Sequence, residues 1–351
     1  MAIPVERTNH PRPRPRPDEL GFGRWFTDHL FRMDFEEGRG WHGARIVPYG
    51  PISLDPAASA LHYGQALFEG LKAFPRPGGA AALFRPRDHA ARLDATARRL
   101  AMPEVGVDPL LEGVRALLRE DADWMPTAPG TSIYLRPVMF ATEPFLGVRP
   151  ARTYTLLVIA SPVAGYFSGP PRPLRIRVEA VRSRAAPGGI GGAKAAANYV
   201  ASLLAAEEAK AAGFDQVLWL DAARHADLEE IGTMNVFARI AGTVVTPPLE
   251  GTILPGVTRA SVLQLCRDLG VPVEERRLPL AELVDAHRAG RLQELWGTGT
   301  AAVVSPIGEL SWDGGGLRLA PPGPDAVGPR LGEALRAIQD GKAPDRHHWM
   351  E

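Results

Sequence analysis

The stretch AAPGGIGGAKAAANYVASLLA, residues 185–205, decides how the rest of the chain is read. It passes from a glycine-rich turn into an alanine-rich helical run. Between them stands Lys194, flanked in PGGIGGAKAAANY by eight Gly and Ala residues, with no charged neighbour closer than Arg184. Of the 40 Lys plus Arg residues only four are lysine: Lys72, Lys194, Lys210 and Lys342. A sequence so biased toward arginine keeps lysine most readily where a guanidinium cannot serve. An amine can shed its proton and attack a carbonyl, whereas a guanidinium stays charged. Lys210 follows Glu207 and Glu208 on an apparent helix and suits a solvated role, while Lys72 and Lys342 sit in mixed segments. The apolar setting of Lys194 depresses an amine pKa, as a nucleophile requires. A surface lysine on a glycine loop is the plain alternative.

Outward from this stretch, ANYVASLLAAEEAKAAG reads as one helix closed by Gly213. LRIRVEAVR before it and QVLWLDA after it read as strands, and VFARIAGTVVTPP as a hairpin turning at Ala241-Gly242. TRASVLQLCRDLG is helical, with Thr258 as candidate N-cap and Gly270 at its far end. In the first half HAARLDATARRL and DPLLEGVRALLRED read as helices, SIYLRPVMF and TYTLLVIASPV as strands. The Gly/Pro cluster SGPPRPL, residues 168–174, marks a linker. Elements alternate on both sides of it, which predicts an α/β (α+β) chain of two domains, 22–167 and 175–351, with a cleft between them. PRPRPRP at 11–17 has proline at every second position, so residues 1–21 are expected to be a disordered, solvated, polyproline-like arm.

The composition is that of an ordinary soluble chain of 351 residues, with 45% hydrophobic and 23% charged residues and a formal net charge of +0. Nothing in it points to nucleic acid or a membrane surface. The single cysteine, Cys266, excludes an intramolecular disulfide and reads as an inert core thiol on a helix. MAIPVERTNH has no apolar core of a signal peptide, and the longest apolar stretch is broken by Pro162, so a cytoplasmic protein is expected.

Three features join Lys194. GTILPGVTRAS leads through a Gly/Pro turn into a helix N-terminus, where amides and dipole suit a phosphate; GTGTAA at 297–302 is a second small-residue turn; EEIGTMN at 229–235 puts carboxylates beside a Gly-Thr turn. Each alone is weak, since helices commonly follow glycine turns and carboxylates are commonly solvated. Together, an amine, two phosphate-binding turns and an interior carboxylate are what pyridoxal 5′-phosphate needs.

With these segments in view the chain resembles the branched-chain amino acid aminotransferases, fold-type IV pyridoxal phosphate enzymes. The likeness runs from about Phe22 to the C-terminal HHWM, through GFGRWFTDHL, LHYGQALFEGLKAF, the RLDATAR stretch at Arg92, YLRPVMFATEPFLGV, AAPGGIGGAKAAANYVASLLA, DQVLWLDA, EEIGTMNVF, LEGTILPGVTR and ELWGTGTAAVVSPIG. It implies a two-domain fold with the cofactor in the interdomain cleft, a small N-terminal domain and a larger C-terminal cofactor-binding domain. It implies that Lys194 forms the internal aldimine and shuttles the substrate proton, that Tyr199 bonds the cofactor's phenolic oxygen, and that Glu230 pairs with the pyridine nitrogen. Arg92, the amides of Val257 and Thr258, and Thr300 would hold the phosphate. Phe22, Phe68, Tyr134 and Thr233 match an apolar substrate pocket, with Thr233 also counted among the cofactor-binding positions. Tyr63, Leu146 and Val148 match positions that reach across a homodimer interface. The Ala301 amide would take the substrate carboxylate, and Arg136 the distal carboxylate of glutamate or 2-oxoglutarate. No metal is implied. The expected reaction exchanges the amino group between L-leucine, L-isoleucine or L-valine and 2-oxoglutarate by a ping-pong route.

The chain departs from the family pattern in two places. Ala195, Ala196 and Ala197 stand where glycines are common, so that stretch is either right-handed helical already or locally altered. Ala302 and Ser305 occupy the positions of a Cys-x-x-Cys found in animal members, which removes any thiol switch there. A specialised aminotransferase acting on a non-protein or aromatic amino acid is the alternative reading. Other fold-type IV activities, on D-amino acids or aminodeoxychorismate, fit LHYGQALFEG and YLRPVMF less well. A catalytically silent cofactor-binding module would have no need of Lys194, Tyr199 and Glu230 together.

Overall fold

The structure is a computed structural model that describes residues 3–77, 80–164 and 172–351. Two compact units emerge: Met1–Ser168 with Lys194–Ala197 and Gln339–Glu351, and Gly169–Ala193 with Asn198–Ile338. Most of the linker expected at 168–174 lies outside the described residues. The division departs from a single cut near it, because the lysine segment and the C-terminal tail both belong to the first unit.

The first unit holds strands β1 (His29–Glu36), β2 (Gly40–Pro48), β3 (Ala66–Phe68), β4 (Leu71–Pro75), β5 (Ala81–Leu83), β6 (Ser132–Ala141) and β7 (Thr153–Val163). Its helices are α1 (Ser59–Tyr63), α2 (Pro86–Arg99) and α3 (Val107–Glu120). The sheet order is β2-β1-β7-β6-β4-β5, with β3 also on β6, and every pairing is antiparallel. The alternation of elements therefore gives an α+β layer here, not a parallel sheet. Helix α2 begins three residues before the apolar pattern does, because Pro86 sits in its first turn, where a missing N–H costs nothing. α3 buries Leu110, Leu111, Val114 and Leu117 at helical spacing, and the core continues through Phe31, Leu67, Leu71, Leu135, Leu156 and Val158.

The expected disordered arm is a correction. Val5 bridges Ile46, the Thr8 amide donates to Nε2 of His29 (3.0 Å), and the Arg12 amide donates to Asp28 Oδ1 (2.7 Å). Arg12 lies over Tyr49 at 4.2 Å and Arg14 over Trp124 at 4.0 Å, with Arg14 Nη1 also donating to Asp28 Oδ2 (2.9 Å). The prolines offer no donors, but the arginines between them do: Arg12 and Arg14 each lie over an aromatic face and reach Asp28, Arg12 through its backbone amide, while Arg16 pairs with Asp18 and Glu19.

The second unit holds β8 (Leu174–Glu179), β9 (Gln216–Leu220), β10 (Leu228–Ile231), β11 (Met234–Ile240), β12 (Thr243–Thr246), β13 (Val273–Glu275), β14 (Leu292–Gly299), β15 (Val303–Trp312) and β16 (Gly315–Arg318). Its helices are α4 (Ala196–Val200), α5 (Leu203–Ala211), α6 (Val257–Asp268), α7 (Leu280–Arg288) and α8 (Val327–Gln339), of which α4 and α8 share residues with the first unit. The sheet runs β10-β9-β8-β15-β14-β11-β12-β13, and a further β10–β11 pairing closes the first six strands into a ring. β8 pairs in parallel with both β9 and β15, while the other neighbours in the ring are antiparallel. The Ala241-Gly242 hairpin has φ values of 49° and 89°, the two positive angles that a type I′ turn demands. Gly213 and Gly270 end their helices at positive φ, as expected.

Two local expectations are corrected. The run 197–213 is not one helix: α4 stops at Val200 and α5 starts at Leu203, with Ser202 Oγ donating to the Tyr199 carbonyl (2.7 Å) in the break. Gly256, not Thr258, is the residue before α6, and Thr258 lies inside its first turn. Ala196 and Ala197 are already in α4, and none of Ala195, Ala196 and Ala197 has positive φ, so the alanines sit without strain. Cys266 is fully buried, and burial pushes its thiol up to about 11, which keeps it inert. No helix among the described residues is long and apolar enough to cross a membrane.

Candidate active site

In the first unit the chain carries Lys194 against β3. The Phe68 amide donates to the Lys194 carbonyl (3.1 Å), Leu67 bridges Ala195, and the Lys194 amide donates to Thr96 Oγ1 on α2 (3.1 Å). With its backbone pinned at both ends, the lysine holds its amine 4.8 Å from the centre of the Phe68 ring. Part of the side chain stays accessible, yet the amine is densely surrounded, and desolvation pulls its pKa down to about 8. The Arg92 charge acts in the same direction, the Glu69 carboxylate against it.

Around this amine stand the other candidates of the unit. Phe22 meets Tyr134 edge-on at 4.8 Å, and Arg136 lies over Phe68 (4.6 Å) and Tyr134 (5.3 Å), donating from Nη2 to the Tyr134 hydroxyl (3.0 Å). Arg136 Nε is buried without an acceptor, an unusual state for a guanidinium donor. Gly70 is what lets Tyr134 take this position: a Cβ there would lie 1.9 Å from the tyrosine oxygen. Arg92, expected to grip phosphate, is held side-on by a residue that sequence reasoning passed over. Its Nε donates to Glu69 Oε2 (2.8 Å) and its Nη2 to Oε1 (2.6 Å), with His89 Nδ1 3.1 Å from the same Oε1. Tyr63, Leu146 and Val148 form a separate group at the surface, where the Tyr63 hydroxyl donates to the Leu146 carbonyl.

In the second unit the closing hairpin of the ring positions Glu230. Glu230 and Asn235 are cross-strand partners, and Asn235 Nδ2 donates to Glu230 Oε1 (3.1 Å) and to the Leu254 carbonyl (2.9 Å). The Leu254 amide donates to the same Oε1 (3.1 Å), so the segment leading into α6 is latched to the carboxylate. On the other side Arg184 Nε lies 3.0 Å from Oε2, an ion pair without hydrogen-bond alignment, both side chains being buried. A small cavity lined by Arg184, Tyr199, Glu230, Thr233 and Leu254 opens beside them. Gly256 fits because a Cβ would fall 2.0 Å from Asn235 Oδ1, and having no side chain it leaves the start of α6 without a side-chain cap. Thr300 and Ala301 follow Gly299, whose neighbour is the Thr233 carbonyl, and Thr298 pairs with Asn235 across β14 and β11. Glu230, the α6 amides of Val257 and Thr258, and the Thr300 turn therefore share one end of the ring.

Glu69, His89 and Thr96 in one unit and Arg184 and Asn235 in the other are the members that the sequence reading missed. The one signal for Glu69 was a lone carboxylate inside the apolar run ALFEGLKAF. Arg184 had none beyond its nearness to the lysine.

The family profile described as Amino-transferase class IV matches residues 66–310. Branched-chain-amino-acid aminotransferase 2 of Bacillus subtilis (strain 168) is 46% identical over 349 residues, covering 99% of this chain and 96% of the relative. The chain belongs to the branched-chain family of class IV aminotransferases. A probable branched-chain-amino-acid aminotransferase of Streptomyces coelicolor is 48% identical over 331 residues, 94% of this chain and 91% of its own length. Among solved structures, the branched-chain amino acid aminotransferase of Escherichia coli superposes with TM-score 0.77 at 27% identity, over 92% of this chain and 98% of that one. The branched-chain amino acid aminotransferase of T.th., complexed with N-(5′-phosphopyridoxyl)-L-glutamate, gives TM-score 0.73 at 27% identity, over 91% and 97%. The fold of this aminotransferase is thus that of fold-type IV.

Proposed function

We propose that this aminotransferase exchanges the amino group between L-leucine, L-isoleucine or L-valine and 2-oxoglutarate, with pyridoxal 5′-phosphate as cofactor, in two successive half-reactions. The observation that carries the reading is Lys194, a pinned amine with its pKa drawn down to about 8 against an aromatic face. The donors present fit the cofactor. Glu230 is a buried carboxylate that accepts from Asn235 and the Leu254 amide and pairs with Arg184, and the start of α6, which has no side-chain cap, suits a phosphate. Bound through its aldehyde, the cofactor supplies a ring that accepts the electron pair left when the substrate Cα loses its proton.

The chain supplies the rest. Lys194 Nζ would be the base that moves the proton of the substrate Cα, a task that needs a pKa near the working pH. Glu230 would hold the proton on the ring nitrogen, and Tyr199 would donate to the phenolic oxygen. Arg92, the amides of Val257 and Thr258, and Thr300 would hold the phosphate; the Ala301 amide would take the substrate carboxylate. Phe22, Phe68 and Tyr134 exclude water and surround a short aliphatic chain. Arg136 offers its buried Nε to the second carboxylate of 2-oxoglutarate or glutamate, which leucine lacks. The exposed group of Tyr63, Leu146 (61%) and Val148 (85%) supports a homodimer in which a second copy covers it.

Purified protein carrying the cofactor is expected to be yellow, and borohydride reduction followed by peptide mapping to fix the cofactor on Lys194. Leucine with 2-oxoglutarate is expected to yield glutamate. Recovery of the label on Lys72 or Lys210 instead would overturn the reading.

A further inference from the structure

Glu69 lies between β3 and β4 with no exposed surface, immediately after the residue whose amide holds the Lys194 carbonyl. Its two oxygens accept from four donors: the Gly70 amide (2.7 Å), Arg92 Nε, Arg92 Nη2 and His89 Nδ1. Burial by itself would raise its pKa, yet the Arg92 charge and these donors hold the carboxyl far below the usual carboxylate range, so it stays ionised. His89 is fully buried, and desolvation lowers its pKa, so it donates from Nδ1 as a neutral imidazole. The side-on grip takes the Nε/Nη2 edge of the guanidinium and fixes the plane in which Nη1 points.

We propose that Glu69 is a positioning residue of this active site: backed by His89, it clamps Arg92 in one orientation and sets a buried negative charge against the Lys194 amine. This rests on reading Lys194 as the reacting amine. Without Glu69 the amine faces Arg92 and Arg136 with no carboxylate to offset them, and its proton leaves more easily. Glu69 therefore keeps the Lys194 proton affinity from falling below the working range. Among the described residues the charged and titratable groups that act on this amine include Arg92 and His89 from α2, Tyr134 and Arg136 from β6, and Glu69 itself. Lys72, a buried lysine on β4, lies three residues after Glu69 in the sequence.

The test is trace acetylation of the full-length chain, stripped of cofactor, as a function of pH. The four lysines are resolved by peptide mass, so Lys194 is read separately from Lys72. In the wild type Lys194 labelling should titrate with a midpoint near 8. Glu69→Gln should move that midpoint down by about 1 unit, raising labelling at about pH 7 several-fold. Glu69→Asp, which keeps the charge, should restore most of it. Arg92→Gln should move the midpoint up, and adding Glu69→Gln to it should bring the midpoint back down. The last comparison stands even where Glu69→Gln alone fails to fold. A Lys194 midpoint that is unchanged when Glu69→Gln is introduced, in either background, overturns the proposal. Because the labelling needs no cofactor, a wild type that takes up no pyridoxal phosphate would refute the functional reading and leave this comparison to give its own answer.

Discussion

Replacing Glu230 by Gln separates holding the cofactor from using it. The glutamine Oε1 can keep both donors of the carboxylate, the Leu254 amide and Asn235 Nδ2, each at 3.1 Å, so the side chain has reason to stay in place. What changes is the other arm, where an amide nitrogen replaces Oε2 and faces Arg184 Nε at 3.0 Å, donor against donor. Both partners are nearly buried, with side-chain exposures of 7% and 5%, and a buried charge deprived of its partner costs about 3–5 kcal/mol. Adding Arg184→Gln removes that charge and should recover most of the stability.

Activity should follow a different course. A neutral amide does not hold the proton on the ring nitrogen, and losing one preorganised electrostatic contact of this kind costs about 10²–10³ in kcat. Affinity for pyridoxal phosphate should weaken far less, because the α6 amides and Thr300 are untouched. Denaturant melts, cofactor titration by absorbance, and single-turnover rates with leucine read the three quantities separately. The double variant should therefore be stable and inactive. Wild-type turnover in Glu230→Gln, or recovery of turnover with Arg184→Gln, would show that the carboxylate serves the fold alone.

Arg136→Gln should raise KM for 2-oxoglutarate more than for leucine, since only the former brings a second carboxylate to the buried Nε; equal losses would make the arginine structural. Gly70→Ala should push Tyr134 from its place, because the new methyl would lie 1.9 Å from the hydroxyl, costing about 1–3 kcal/mol in stability and raising KM for leucine. Gly50→Ala, with nothing within 4 Å and an ordinary φ, is the control expected to behave as wild type. Val148→Asp puts a charge at an 85% exposed apolar position; if the proposed homodimer buries it, sedimentation should shift from dimer toward monomer, and a sedimentation profile like that of the wild type would refute a dimer interface at this patch.

The legible parts of the sequence were those whose cause is local. The Ala241-Gly242 turn, the caps at Gly213 and Gly270, and the inert Cys266 each follow from a few adjacent residues. Lys194 stood out because its own neighbours are apolar. The ring as a whole was not legible: β10 and β11 form a local hairpin, but β15 finds β8 across more than a hundred residues and no local pattern encodes that pairing. The docked arm escaped for a related reason: the alternating prolines say that it is extended, while Asp28, Tyr49 and Trp124, which receive its arginines, lie elsewhere in the chain. Arg92 was found by its motif, but its carboxylate partner comes 23 residues earlier, on a different element. The start of α6 was misjudged because threonine is a good cap in general, whereas here only a residue without a Cβ fits beside Asn235.

Among the described residues each unit carries a carboxylate and an arginine that are paired and both buried, Glu69 with Arg92 and Glu230 with Arg184. Stability gives little reason for either, because a buried ion pair seldom outperforms an apolar pair of the same volume. What such a pair does provide is a charge whose direction is fixed before any substrate arrives. In a reaction that moves one proton and parks one electron pair, the groups that matter are an amine of tuned proton affinity, a phosphate anchor and a carboxylate at the far end of a ring. On the proposed reading, Glu69 would bear on the first two, and Glu230, with Arg184 beside it, would be the third. The same arrangement explains the arginine bias at these positions. A lysine in place of Arg92 or Arg184 would present a point charge free to rotate and able to lose its proton when buried, and could not be clamped side-on by a carboxylate. At position 194, where on the proposed reading losing a proton is useful, the chain keeps a lysine.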